Sequence, residues 1–562
     1  MSEVRGRGTP CASGLRDAAI ILALSALVFA FAHRHGLADP FVVNDDARQQ
    51  IYWMQRFQDP QLYPPNLLND FAKAYVPTAL AALYAAAATA FDALYFSKLL
   101  TGILFCVTAL AFFGIGAALS GRSLGYSCAA AVWLAPFFLL NISGGLSRAF
   151  AAPLLALFFW AWIRRSRWGM ALALMAQAAF IPYMCALSAA ACAACAVWAR
   201  LFRAKRPPFP ARLPDYLILA ACAGAVLAFS HGLTAAGFGP LPSRAQMEGA
   251  PVFGPRGRLD LYPLHNPFFD LIYTPFEGIG LFLDIGLAAG IVSLAAIAAA
   301  AALGFRRARP TPALEAVRQP ALFVLLASLT MYLAARALVL RLFVPDRYVM
   351  YSLNMLYVLG LAYFLHAALA PVLARRGAAI VLLLLAAGLG AWRLTDAGLY
   401  DYGDQSALYA AVRRTPKDAL FAGHPELMDN VLTFGRRNVQ ASFELAHPWM
   451  SGYWRQYEPR LRELFTAYYA TDPQEVRAFA RRYGVEYLVV DEGHFRPEFI
   501  AGRPFFAPFD ALIRALADTA AAGKGFALLD QTAFPGDPVS DGVRIVRVLP
   551  QGPDAPVGPD GS

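Results

Sequence analysis

The chain has 562 residues, 58% of them hydrophobic and 15% charged, and the apolar residues run in long uninterrupted blocks. Such blocks exclude an ordinary soluble core, whose apolar positions alternate with polar ones at short period. The net charge of +10 argues little for a nucleic-acid partner, because the excess lies in short arginine clusters between apolar blocks, where it sets orientation in a membrane.

The first block, residues 18–32, follows Arg5, Arg7 and Arg16. No clear small-residue cleavage site precedes the polar run after it, so it reads as an uncleaved first helix with its N-terminus in the cytoplasm. Crossing a bilayer takes about twenty apolar residues, fewer where the flanks snorkel. Residues 18–32, 97–118, 124–140, 146–163, 168–181, 183–198, 216–230, 279–303, 321–338, 348–370 and 378–392 meet that need, predicting about eleven transmembrane helices. A further apolar stretch, 76–91, decides the topology. If it crosses, the clusters Arg164/Arg165/Arg167, Arg200/Arg203/Lys205/Arg206, Arg306/Arg307/Arg309 and Arg375/Arg376 all fall outside. If it does not, they join Arg5, Arg7 and Arg122 in the cytoplasm, as the positive-inside bias demands. Residues 76–91 are therefore predicted to form a surface or half-buried helix.

The expected fold is a polytopic α-helical membrane protein with a C-terminal extracytoplasmic α/β domain. Its parts are a cytoplasmic tail (1–17), a membrane domain (18–395) with outer loops 33–96 and 231–277, the α/β domain (396–550) and a disordered tail (551–562). The expected location is a bacterial inner (plasma) membrane. All seven cysteines lie in the N-terminal tail or in apolar segments, so no disulfide framework is predicted, and Cys192 and Cys195 read as packing residues.

The first outer loop carries Asn44-Asp45-Asp46-Ala47-Arg48, followed by Ile51, Tyr52, Trp53, Met54 and Phe57. The three-residue spacing of Ile51, Met54 and Phe57 predicts an amphipathic helix lying in the membrane interface. Asn44 or Asp45 would cap it, which accounts for one carboxylate. Two carboxylates at the lipid–water boundary also suit a general base acting on an acceptor hydroxyl.

Arg148, Arg336, Arg341 and Arg347 lie near the predicted outer ends of helices, against the positive-inside bias. Snorkelling or pairing with Asp346 would account for such cations. An anionic ligand at the membrane face is the alternative, since guanidinium meets phosphate oxygens bidentately. The reading favours that ligand for Arg347 and Arg148 and leaves Arg336 and Arg341 open. The long loop 231–277 holds Glu248, Arg256, Arg258, Asp260 and His265; it suits either a lid over a lipid-linked substrate or a segment docked on the outer domain.

An early acidic pair, a non-spanning apolar helix, a polytopic core and an α/β tail together resemble the GT-C superfamily of polyprenyl-phosphate-sugar glycosyltransferases, such as protein O-mannosyltransferases and aminoarabinose transferases. In those families Asp-Glu or Asp-Asp stands early in the first outer loop, often before Arg and an aromatic, and Asp45-Asp46-Ala47-Arg48 matches. The resemblance implies that Asp45, or Asp46, is the catalytic base or an acceptor-positioning carboxylate. It also implies that Arg347, in Pro345-Asp346-Arg347-Tyr348, meets the donor phosphate, with Arg148, Arg341 and Arg336 as further donor-phosphate candidates. Arg48, Glu248, Arg258 and Lys73 are acceptor-side or lid candidates. Two departures stand out. Lys73 is separated from Pro77, unlike the Lys-Pro-Pro segment of some relatives. The turn 141–148 lacks the second acidic residue that some members use for a metal.

After Arg393 the composition becomes that of a soluble domain. Short apolar runs at 419–422, 487–490 and 543–546 read as buried strands. Asp472-Pro473-Gln474-Glu475 starts a helix with an N-cap, a first-turn proline and a capping-box Glu, and 509–522 is a second helix. His424, Glu444, His447 and His494 match no zinc spacing. No P-loop, dinucleotide fingerprint or nucleophile elbow occurs. No cofactor is therefore assigned: a divalent ion is unsupported, and the metal site is none. The expected function is inverting transfer of a sugar from a polyprenyl-phosphate carrier to an acceptor hydroxyl on a glycan, lipid or protein. The rivals are a transporter or lipid flippase, against which no internal repeat is seen, and a non-catalytic assembly protein.

Overall fold

The computed structural model describes residues 10–203, 208–261, 264–273, 287–308, 312–339, 341–342, 344–523 and 525–549. Arg5, Arg7, Lys205, Arg206, Arg309, the predicted tail 551–562 and the first residues of the predicted span 279–303 lie outside the described residues.

Each of the eleven apolar segments carries a helix where it is described, from Pro10–Ala32 and Ala93–Ser120 to Arg347–Leu373 and Arg376–Arg393. By length and composition, six helices among the described residues can cross a membrane, or seven if Arg122–Leu134 and Pro136–Ile142, bent by 63°, form one broken span. Pro136 explains the bend, since it brings no N–H to the helical ladder. The strict number falls below eleven because several predicted spans are short. Ala151–Ile163 has 13 residues and Arg167–Phe180 has 14, about 20 Å of helix against a hydrocarbon core of about 30 Å. The stretch 76–91 forms the helix Thr78–Ala87, of 10 residues, about 15 Å long and half of what a crossing requires. Pro77 sets its start, Leu80 and Tyr84 are buried, and the Tyr84 hydroxyl donates to the Gly145 carbonyl at 3.0 Å.

The C-terminal region is a mixed five-stranded sheet flanked by helices. With β1 (Val42–Val43) and β2 (Tyr400–Asp401) forming a separate antiparallel pair, the sheet comprises β3 (Leu420–Ala422), β4 (Asn438–Val439), β5 (Tyr487–Asp491), β6 (Gly536–Ser540) and β7 (Val543–Arg547). Its order is β4-β3-β5-β7-β6; β3 runs parallel to β4 and β5, while β7 runs antiparallel to β5 and β6. The apolar runs read as strands are β3, β5 and β7. Asp472 caps Pro473–Tyr483 by accepting from the Gln474 N–H at 2.8 Å.

The first loop sits beneath this region rather than flat on a membrane. The predicted interfacial helix is instead a single turn, Ala47–Gln50, followed by a 3-10 segment, Tyr52–Phe57. Ile51, Tyr52 and Met54 are fully buried and Trp53 nearly so, leaving no continuous apolar stripe for lipid. The C-terminal region covers it: Gln55 donates to the Thr433 carbonyl at 3.0 Å, Tyr63 to the Leu432 carbonyl at 3.0 Å, and Asn69 to Asn438 at 2.9 Å. β1 pairs with β2, Val42 opposite Asp401 and Val43 opposite Tyr400. Phe71 stacks on Tyr453 with ring centroids 3.9 Å apart. Replacing Phe71 by Ala is expected to cost about 3–5 kcal/mol and to expose the first loop to protease before the helices melt. Limited proteolysis during a thermal ramp checks this.

Candidate active site

Asp46 occupies the N-cap position of Ala47–Gln50, but no side chain caps that turn. The acidic pair is therefore not spent on capping. Asp45 turns toward Arg48, with which it pairs, and accepts a hydrogen bond from the Tyr402 hydroxyl at 2.7 Å. Both bonds fall on Oδ1; among the described residues no protein donor meets Oδ2, and the side chain is 43% exposed. Asp46 turns the other way and pairs with Arg148.

A glycine turn delivers Arg148. Gly144 and Gly145 take φ of +91° and +60°, a region costly for side-chain-bearing residues, and a Cβ on Gly144 would lie 2.7 Å from Asn44 Oδ1. The turn thus packs on Asn44, whose amide is fixed by the Gly398 carbonyl at 2.7 Å, and Arg148 also donates to Asn44 Oδ1 at 3.3 Å.

Arg48 is 7% exposed and reaches into the C-terminal region. Its guanidinium meets Asn430 Oδ1 at 2.9 Å, Glu444 at 3.7 Å and Asp429 at 3.9 Å, and lies 4.1 Å from the centre of the Tyr402 ring. Burial pushes the Glu444 and Asp429 carboxyls above their usual range, and the Asp429 charge adds to the effect on Glu444; Arg48 opposes it at Asp429 and Arg258 at both. Burial works the same way on Asp45, but the Arg48 charge and the Tyr402 hydrogen bond outweigh it and hold that carboxyl below its ordinary value. One end of the cluster is thus a settled anion open to solvent, and the other a buried acid pair.

Arg347 opens the helix Arg347–Leu373. Among the described residues its guanidinium makes one bond, to the Met350 sulfur at 3.3 Å. Burial raises the Tyr75 hydroxyl to about 12, Asp46 adding to the rise while Arg347 and Arg148 oppose it. Tyr75, Asp46, Arg148 and Arg347 therefore share one electrostatic neighbourhood.

The other predicted residues divide. Arg258, from the second loop, joins the cluster by donating to Glu444 at 3.3 Å over the Phe443 ring. Its loop docks on the C-terminal region: Arg256 pairs with Asp510 at 2.7 Å, and the Gly452 N–H donates to the Phe238 carbonyl at 2.9 Å. Arg336 is held by the His265 carbonyl at 2.7 Å and by Asp270 at 3.3 Å. Lys73 pairs with Asp70 at 3.6 Å, on its own helix. Arg341 and Glu248 are exposed and make no bond to the cluster among the described residues. His447 meets Gln49, while His424 donates from Nε2 to the Pro504 carbonyl at 2.8 Å and packs on His494. Among the described residues no group of three or more His, Cys, Asp or Glu is placed to hold a metal ion.

Tyr402, Asp429 and Glu444 belong to the site although sequence reasoning passed over the first two and set Glu444 aside with a metal argument. The only signal was an acid inside an apolar run, Phe443-Glu444-Leu445, which needs a buried partner.

Removing Arg48 leaves Asp429 and Glu444 buried without their nearest shared cation. Arg48→Met is expected to cost about 3–5 kcal/mol. Groups whose folded pKa is raised contribute stability that is present below the unfolded value and lost as pH rises through the folded one. The drop in Tm relative to wild type should therefore be larger at pH 8 than at pH 5.

No protein-family model matches the chain, and no curated protein sequence matches it. Among solved structures it is similar to the oligosaccharyltransferase AglB of Archaeoglobus fulgidus in complex with an inhibitory peptide and a dolichol-phosphate, at 13% identity over 86% of this chain and 70% of that one, with a TM-score of 0.49. The same organism's oligosaccharyltransferase in complex with Zn and sulfate matches at 14% identity over 89% and 71%, with a TM-score of 0.43. ArnT from Cupriavidus metallidurans in the apo state matches at 13% identity over 96% and 98%, with a TM-score of 0.46.

Proposed function

We propose that the protein is a membrane glycosyltransferase that moves a sugar from a polyprenyl-phosphate carrier to an acceptor hydroxyl, with inversion at the anomeric carbon. The observation that carries this reading is one electrostatic neighbourhood holding an acidic pair, with a carboxylate oxygen that no protein donor meets among the described residues, together with a guanidinium at a helix end whose one bond among the described residues is to a thioether. A base and an anion clamp placed together at the mouth of a helical bundle fit a donor whose leaving group is a lipid phosphate.

The step balances without a nucleotide. The acceptor O–H gives its proton to Asp45 Oδ2 as its oxygen bonds to the anomeric carbon. The bond from that carbon to the phosphate oxygen breaks, and the electron pair leaves with the polyprenyl phosphate. Arg347 stabilises that charge. Arg148, paired with Asp46, can share it only by loosening its grip on Asp46. On this reading the site faces away from the cytoplasm, as the arginine clusters of the sequence imply.

The test is turnover of purified protein against a panel of polyprenyl-phosphate sugars, with a membrane extract as acceptor. Wild type is expected to release free polyprenyl phosphate. Asp45→Asn should lower kcat by about 10²–10⁴-fold, and Arg347→Ala by about 10²–10³-fold with partial recovery in Arg347→Lys. Full activity in folded Asp45→Asn and Asp46→Asn together would remove the acidic pair from the chemistry.

A further inference from the structure

The C-terminal region does more than cover the first loop, because a single carboxylate on it ties both loops to the candidate base. Glu444 lies in a segment without strand pairing, between β4 and the helix Ser451–Tyr468, so its place must be fixed by other bonds. It is fixed from three sides. Its N–H donates to Asp429 Oδ1 at 3.1 Å, Asp429 being held in turn by the Ser442 hydroxyl. Its carbonyl accepts from the Gln49 amide at 2.8 Å, two residues after the Ala47 that follows the acidic pair. Its side chain is 6% exposed, with Oε1 at 3.7 Å from Arg48 and Oε2 at 3.3 Å from Arg258.

Arg48 is the shared element. Its Nη2 faces Asp45 and Glu444, and its Nη1 faces Asn430 and Asp429. A guanidinium is planar and its donors are rigidly forked, so fixing one side of it fixes the direction from which the other side holds Asp45 Oδ1. That leaves Asp45 Oδ2 aimed by the protein rather than by solvent. We propose that Glu444, supplied by the C-terminal region, is a positioning residue for the reaction: through Arg48 it orients Asp45 toward the acceptor, and Arg258 of the second loop completes the arrangement.

This inference rests on the reading of Asp45 as the base. Its electrostatic content is independent of turnover. Asp45 and Asp46 from the first loop, Glu426 and Asp429 from the C-terminal region, and the cations Arg48 and Arg258 all act on this cluster; His447, bound to Gln49, is kept neutral by burial. Asp45 ionises well below the range in which Glu444 does, so Glu444 acts on it through the placing of the Arg48 fork rather than as a charge. Removing the Glu444 side chain frees Arg48 and loosens its hold on Asp45, so ionisation of Asp45 becomes harder; removing the Arg258 charge acts in the same direction.

The experiment titrates Asp45 by its pH-dependent modification with a water-soluble carbodiimide and an amine, read by mass spectrometry of the labelled peptide, in wild type, Glu444→Ala and Arg258→Met. Reactivity falls as the carboxyl ionises. The midpoint should move higher in both variants, by about 1 pH unit. In the same proteins the acid limb of kcat/KM for sugar transfer should move in the same direction. Glu444→Ala should lower kcat about 10-fold with donor KM within about twofold. Midpoints that coincide in all three folded proteins overturn the proposal and leave Glu444 as a structural contact; should Glu444→Ala not fold, an unmoved midpoint in Arg258→Met does the same. If wild type transfers no sugar from any donor, the glycosyltransferase reading fails, and the labelling midpoints still decide whether Glu444 acts on Asp45.

Discussion

A guanidinium almost wholly removed from water sits where three parts of the chain meet, and the rest of the arrangement follows from the need to neutralise it. Arg48 rises from the first loop and pairs there with Asp45, yet it also faces two carboxyls nearly four hundred positions later, Asp429 and Glu444. An unpaired charge so deep would be costly, so loop and C-terminal region cannot separate without leaving both sides of the cluster exposed to that cost. The β1–β2 pair and the stack of Phe71 on Tyr453 then set the register of a contact whose necessity is electrostatic.

That contact also divides the acidic pair into two roles. Asp45 is drawn toward the C-terminal region by Arg48 and Tyr402, while Asp46 is drawn toward the helical bundle by Arg148. Neighbouring residues thus connect to opposite halves of the molecule. A rigid-body shift between those halves would change the separation of the carboxylates from Arg347, which is fixed to the bundle by its own helix.

The apolar helices were the part most legible in the sequence, because hydropathy acts locally: each predicted segment is helical where it is described and 76–91 holds only the 10-residue helix Thr78–Ala87, although six or seven helices among the described residues, rather than eleven, are long and apolar enough to cross. The strands at 420, 487 and 543 were legible for the same reason, being short apolar runs between turns. What misled was the first loop. Ile51, Met54 and Phe57 carry a helical spacing that on its own suits a membrane surface, but spacing does not say what covers it, and the cover lies near Thr433 and Tyr453. Asp45, Asp46, Arg48 and Arg347 could be singled out as charges without a local purpose. Tyr402 and Glu444 could not, since each takes its meaning from a partner far away in sequence.

The most direct measurement is a cryo-electron microscopy structure of the protein in lipid nanodiscs with a polyprenyl phosphate bound. The account predicts the phosphate within hydrogen-bonding reach of the Arg347 guanidinium and on the side of the acidic pair where Asp45 Oδ2 is free. A phosphate held elsewhere, with Arg347 and the acidic pair untouched by the lipid, would contradict it.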